Sequence, residues 1–313
     1  MRIALVLTPP NDLHFRLAAQ IGATDYVARY NLADAPQKLA AECARAASFG
    51  LRLSVVEGYL PIQEIIHGTD GRDAQIENVQ VLIDAMGRNH VEVLCYNWMP
   101  NDDWTRTNWN VETRGGALTN EFDLADLGDQ LAPIEKRISA EKLWDNLAYF
   151  LEKIVPVAES ANVKLAMHPD DPPLPQLLGA DQIMHAPDSF EKLFALNPSR
   201  ANGMCVCAGT FASLGEDVPA LIRRFSSRVH YAHFRDVRGA VPHFVETFHD
   251  DGKSDMAATM RALRDIGFRG TMRPDHVPKL EGEPGRADGY TMLGRLFAVG
   301  YLRGLMHAIE SDK

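Results

Sequence analysis

The feature that most constrains this chain is an alternation repeated eight times: a short apolar run bounded by turn residues, then a stretch whose apolar positions recur with helical period. The runs lie at 3–7, 25–29, 52–57, 91–97, 163–168, 203–207, 229–235 and 270–275. The helical stretches lie at 13–21, 34–49, 73–89, 140–161, 189–196, 218–226, 255–266 and 290–310. Continuous apolar strands alternating with helices fit a parallel sheet covered on its faces, because such strands are buried on both sides. Eight units predict an α/β architecture closed into a (β/α)8 barrel, with 1–313 as one domain. The competing open, doubly wound sheet has no glycine-rich turn after the first run, where Thr8, Pro9, Pro10, Asn11 and Asp12 stand instead. Asp34 before the second helical stretch and Gly50 after it fit start and stop signals.

One connection breaks the rhythm. Residues 98–139 show no convincing period, and connections of that length are usually functional lids or disordered. The first part, with Trp98, Met99, Pro100, Asp103, Trp104, Thr105, Arg106 and Thr107, is too aromatic for a linker and reads as an ordered substrate lid inserted after the fourth strand. The remainder, 115–138, is where mobility or a partner contact is expected.

Composition narrows the function classes. The chain carries 32 basic and 42 acidic residues, a balance opposed to sequence-independent nucleic-acid binding. No apolar run approaches the roughly 20 residues of a membrane span, and the N-terminus reads as a first strand. A cytoplasmic protein with no membrane association is therefore expected. The four cysteines, Cys43, Cys95, Cys205 and Cys207, are too few for a disulfide framework and are read as reduced thiols. Homo-oligomerisation is open.

In a parallel barrel the C-terminal ends of the strands converge on one mouth, where catalytic groups collect. Four successive strands end in metal-ligand types. The fifth ends in His168, followed by Pro169, Asp170, Asp171, Pro172 and Pro173; the sixth in Cys205, Val206 and Cys207; the seventh in His233; the eighth in Asp275 and His276. Two imidazoles, one thiolate and one carboxylate make a first shell for a divalent transition ion. Cys205 and Cys207 share a strand face and Cys207 lies at the lip, so Cys207 is the preferred ligand and Cys205 a small core residue. His230 and His233 point to opposite faces, and His233 is nearer the lip. His276 could stand in for Asp275. Zinc, iron, cobalt and manganese all suit such a mixed shell. Arg106, Arg235 and Arg273 are candidates for a clamp on a carboxylate substrate.

These strings together resemble the mannonate dehydratase family: Cys95 to Pro100 with Trp104 to Thr107, then His168 to Pro173, His233 to Val237, and Arg273 to His276. The resemblance runs from about Leu51 to the C-terminus, and the family belongs to the xylose isomerase-like TIM barrels. It implies a divalent metal, manganese or ferrous iron, on His168, Cys207, His233 and Asp275. It also implies dehydration of the sugar acid D-mannonate to 2-keto-3-deoxy-D-gluconate. Tyr290 matches the family's acid/base tyrosine. In the mechanism this implies, Tyr290, its pKa lowered by the metal and arginines, is one proton-transfer group and His276 or Asp171 the other, while Arg106 and Arg235 orient the acid. The string Cys205 to Thr210 and Val277 depart from the family pattern and bear on pocket shape. The alternatives are a metal-dependent sugar isomerase or epimerase on the same barrel and a non-catalytic sugar-acid binder.

Overall fold

The eight apolar runs form the eight strands of a closed parallel barrel: β1 (Arg2–Val6), β2 (Asp25–Ala28), β3 (Arg52–Glu57), β4 (Val93–Tyr96), β5 (Lys164–Met167), β6 (Asn202–Cys207), β7 (Val229–Phe234) and β8 (Thr271–Pro274). Each strand pairs with its sequence neighbours, and β1 closes the ring on β8 through Ile3 against Met272. This computed structural model describes residues 1–29, 35–58, 60–101 and 104–310, with the backbone alone at 35 and 36. The helix start signal at Asp34 and the lid residue Asp103 lie outside the described residues.

Alternation along the strands separates two cores. Ala4, Val6, Val27, Val55, Val93, Cys95, Ala166, Cys205 and Tyr231 fill the barrel interior, and the other strand faces join the helices in a larger outer core. The helix Ala140–Ala161 shows how local sequence sets an element: the Ser139 side chain accepts from the Lys142 amide, Asn162 ends the helix in the left-handed region, and a stripe of Leu143, Leu147, Phe150, Leu151 and Ile154 is buried. Against it packs the helix Arg72–Arg88, where a Cβ on Gly87 would lie 2.7 Å from the Ala161 carbonyl oxygen. Glycine there permits the close approach. Asn11, Asp217 and Asp255 cap three further helices through their side chains. Among the described residues no helix is long and apolar enough to cross a membrane.

The aperiodic stretch after β4 is more ordered than its sequence pattern suggests. It contains the antiparallel strands Asn108–Glu112 and Leu118–Asp123. The second of these pairs with His243–Glu246, which with Val237–Ala240 forms a hairpin after β7, completing a four-stranded sheet. Its Leu118 also bridges Lys279 in the segment after β8. Strand 118–123 thus falls inside the segment read as irregular; besides the neighbouring 108–112 its second partner lies more than a hundred residues away, which no local period records. Trp98, read as part of a lid, is instead fully buried, its indole N–H donating to the Leu143 carbonyl at 3.2 Å.

Candidate active site at the barrel mouth

β5 delivers His168 to the lip, where its Nδ1 lies 2.7 Å from the Pro169 carbonyl oxygen. That contact puts the ring proton on Nδ1 and leaves Nε2 as an acceptor. β6 ends at Cys207 and runs directly into the helix Ala208–Ser213, whose Thr210 hydroxyl donates to the Cys207 sulfur at 3.2 Å. β7 supplies His233, and β8 leads into Asp275. The ligand atoms of His168, Cys207, His233 and Asp275 all lie within 4.8 Å of one another. His233 Nδ1 is 3.7 Å from Asp275 Oδ2 and the Cys207 sulfur 3.9 Å from the same oxygen. Burial raises the Cys207 thiol, but the nearby imidazoles of His168, then His233, and the Arg235 guanidinium together prevail and hold it well below the ordinary thiol value. Asp275 is likewise held well below the carboxylate range: burial opposes ionisation, and Arg273 at 2.6 Å together with His276, His233 and Arg235 outweighs it.

This donor set fits a divalent ion. Neither ring nitrogen of the buried His233 makes a hydrogen bond, although Nε2 is 3.3 Å from Glu57 Oε2. The preference for His233 over His230 agrees with the geometry, since His230 Nδ1 turns away to the Leu165 carbonyl at 2.8 Å. Cys205 lies in the interior core, where its sulfur, that of Cys95 and a His233 nitrogen form a second group within 4.8 Å.

Beside the donors is a second cluster. Arg106 grips Asp171 with two hydrogen bonds, Nη1 to Oδ1 at 3.1 Å and Nη2 to Oδ2 at 2.9 Å, and reaches Glu246 Oε1 at 2.5 Å. Arg235 spans the same two acids, at 2.8 Å to Asp171 Oδ2 and 2.8 Å to Glu246 Oε2. Gly209 makes room for it, because a Cβ there would lie 2.5 Å from Arg235 Cγ. This corrects the expected anion clamp. Both guanidinium side chains are fully buried and spend their donors on Asp171 and Glu246, and neither lines the pocket. Arg273 lines the pocket but is bound to Glu57 and Asp275.

His276 has a left-handed backbone, φ 38°, and its Nδ1 is 3.0 Å from Glu246 Oε1. Trp104 packs on it with ring centroids 4.7 Å apart, and Tyr290 lies edge-on at 5.5 Å. The Tyr290 hydroxyl donates to Asp275 Oδ1 at 3.2 Å. Within the protein alone burial, the largest influence, raises its pKa, and Arg29 opposes it. Tyr290 stands two residues before the helix Met292–Glu310 rather than within it.

Three functional candidates escaped the sequence reading. Glu57, the last residue of β3, accepts from Tyr231 at 2.9 Å and from Arg273 Nε at 2.9 Å; an acid closing an apolar run at the ligand-bearing lip was the available signal. Arg29 follows β2 and lines the pocket. Glu246 belongs to the hairpin after β7, which had no clear sequence signature.

A closed parallel barrel with candidate metal donors and acid/base groups gathered at its C-terminal mouth defines the class, a (β/α)8-barrel enzyme. The fold is shared with 3-keto-D-glucoside 4-epimerase from E. coli, at a TM-score of 0.66 over 98% of this chain and 99% of that one with 12% identity, a likeness of fold alone. The sequence pattern of the family described as D-mannonate dehydratase (UxuA) matches residues 35–135 and 124–313, and the chain belongs to that family. It is 36% identical over 291 residues to a mannonate dehydratase of Oceanobacillus iheyensis, covering 84% of this chain and 82% of that protein. The crystal structure of mannonate dehydratase from Streptococcus suis serotype 2 superposes with a TM-score of 0.92 at 30% identity, over 98% of this chain and 94% of that one.

Proposed function

We propose that this chain is a metal-dependent hydro-lyase converting D-mannonate, or a closely related hexonate, to 2-keto-3-deoxy-D-gluconate and water. The observation that carries the reading is the convergence of His168, Cys207, His233 and Asp275 within 4.8 Å of one another, beside a pocket that His168, His233 and Asp275 line together with Tyr290 and His276. Those four residues would hold manganese or ferrous iron, which when bound supplies Lewis-acid stabilisation of the negative charge that develops as C2 loses its proton.

The proton carriers are His276 and Tyr290. Glu246 Oε1, 3.0 Å from His276 Nδ1, orients the ring, and Nε2 takes the proton from C2. As the C3–O bond breaks, the departing hydroxide takes the Tyr290 proton and leaves as water. The enol that remains tautomerises to the 2-keto acid. Asp171 is no proton carrier in this scheme, because its oxygens are engaged by Arg106 and Arg235; it anchors the cluster that supports His276. Trp104, stacked on His276, forms part of a lid that limits water at the reacting carbons.

The test is incubation of metal-stripped protein, reloaded with manganese or ferrous iron under reducing conditions, with D-mannonate and with D-gluconate, its C2 epimer. Metal-dependent formation of the 2-keto-3-deoxy acid from D-mannonate is expected. Metal-loaded protein that forms none from either acid would overturn the dehydratase reading, and a product that retains the water would indicate an isomerase or epimerase.

A further inference from the structure

We infer that Arg29 seats the carboxylate of the substrate and so selects sugar acids over neutral sugars, an inference that rests on the sugar-acid reading of this pocket. A carboxylate entering the pocket meets Glu57, Asp171 and Asp275 on its walls, each already paired with a buried arginine, so a further cation at the pocket wall favours its binding. Among the described residues lining the pocket, Arg29 and Arg273 are the arginines, and no lysine lines it. Arg273 is only 2% exposed and binds Glu57 through two nitrogens and Asp275 through the third, at 2.6 Å. Redirecting it would leave two buried carboxylates without their partner, a costly exchange.

Arg29 is differently placed. Its side chain is 17% exposed, against 2% for Arg273, and it faces Glu57 Oε1 at 3.6 Å. The guanidinium carbon lies 4.3 Å from the centre of the Tyr290 ring, so the ring supports the flat cation from one face. Arg29 also lines the adjoining cavity bounded by Thr8, Tyr26, Asp288 and Tyr290, so the residue borders both spaces. A planar guanidinium held on an aromatic face suits two-point binding of a carboxylate. Seating C1 there brings the neighbouring carbons to the wall shared by Tyr290 and His276, whose rings are 5.5 Å apart.

The test compares wild type, Arg29→Met and Arg29→Lys, each loaded with manganese, by calorimetric binding of D-mannonate and of the neutral D-mannonamide, alongside steady-state kinetics. Arg29→Met is expected to weaken D-mannonate binding and raise KM by roughly 10- to 150-fold, the range for a hydrogen bond to a charged group. Affinities for D-mannonamide and for manganese stay within about twofold of wild type, well below that range. Arg29→Lys recovers part of the loss, and added guanidinium ion partly restores Arg29→Met. A less than threefold change in D-mannonate affinity, or equal weakening of acid and amide, overturns the inference. Calorimetry keeps the two readings separate: wild type that binds D-mannonate without turnover sinks the dehydratase reading and still tests Arg29, whereas wild type that binds no D-mannonate sinks both.

Discussion

Around Asp171, two guanidinium groups face two carboxylates and every charge has a partner within the chain; around His233, the donors of His168, Cys207 and Asp275 face one another instead. Both clusters are buried at the same mouth. The first is closed on itself and sets the position of His276 through Glu246. The second gathers electron pairs, the arrangement expected of groups that bind a cation. Burial and charge alone therefore do not identify a binding site; Arg273 pairs with Asp275 as well, and what sets the second cluster apart is that its imidazole, thiol and carboxylate atoms lie within 4.8 Å of one another.

Substitutions should separate the two. Cys207→Ser, in the donor group, is expected to lower turnover by roughly 10³-fold and bound manganese per chain, with the circular dichroism spectrum unchanged; retention of full metal content would place the ion elsewhere. Asp171→Ala, in the closed cluster, should instead destabilise the fold by about 3–5 kcal/mol, because Arg106 and Arg235 lose a shared buried partner. The urea midpoint measures this, and an unchanged midpoint would show that the cluster is not a support.

Acid offers a third comparison, between these charged clusters and histidines buried as neutral rings. Burial pushes His230 and His249 down to about 4 from 6.5, despite their hydrogen bonds to the Leu165 and Phe234 carbonyls. Below pH 6.5 the unfolded chain takes up protons that the folded rings refuse. Their contribution is therefore complete above that pH and is lost as pH falls toward 4, by about 1.4 kcal/mol per pH unit for each ring. Urea midpoints should fall over that window, with a shallower slope in His249→Gln. The smallest effect is expected at the exposed group of Arg224 with Asp188 and Glu191. Solvent screens such pairs, so Arg224→Ala should leave the midpoint unchanged within error.

The barrel was legible because its strands are buried on both faces and each carries its own apolar signal. The convergence of the four candidate donors was legible for a related reason: His168, Cys207, His233 and Asp275 each stand at or just after a strand's C-terminal end, so topology brings them together. Pairing between distant segments was not legible. Arg106 and Arg235 have the chemistry of a substrate clamp, and only the fold shows Asp171 and Glu246 already in their grip. Arg29 was taken only as the last residue of the run 25–29, and nothing local reveals Tyr290 beneath it. The short helices Gln63–His67 and Ala208–Ser213 are too brief for periodicity to register.

The four-stranded sheet beside the mouth has a consequence for engineering. Its central pair joins Leu118–Asp123 to His243–Glu246, so each inserted hairpin supplies half of the seam. Transplanting either hairpin alone from a relative would expose an unsatisfied edge and displace Arg106 or Glu246 from the shared scaffold. The two segments make up one transferable cassette, although more than a hundred residues of barrel lie between them, and recombination boundaries for chimeric enzymes should keep both with the same parent.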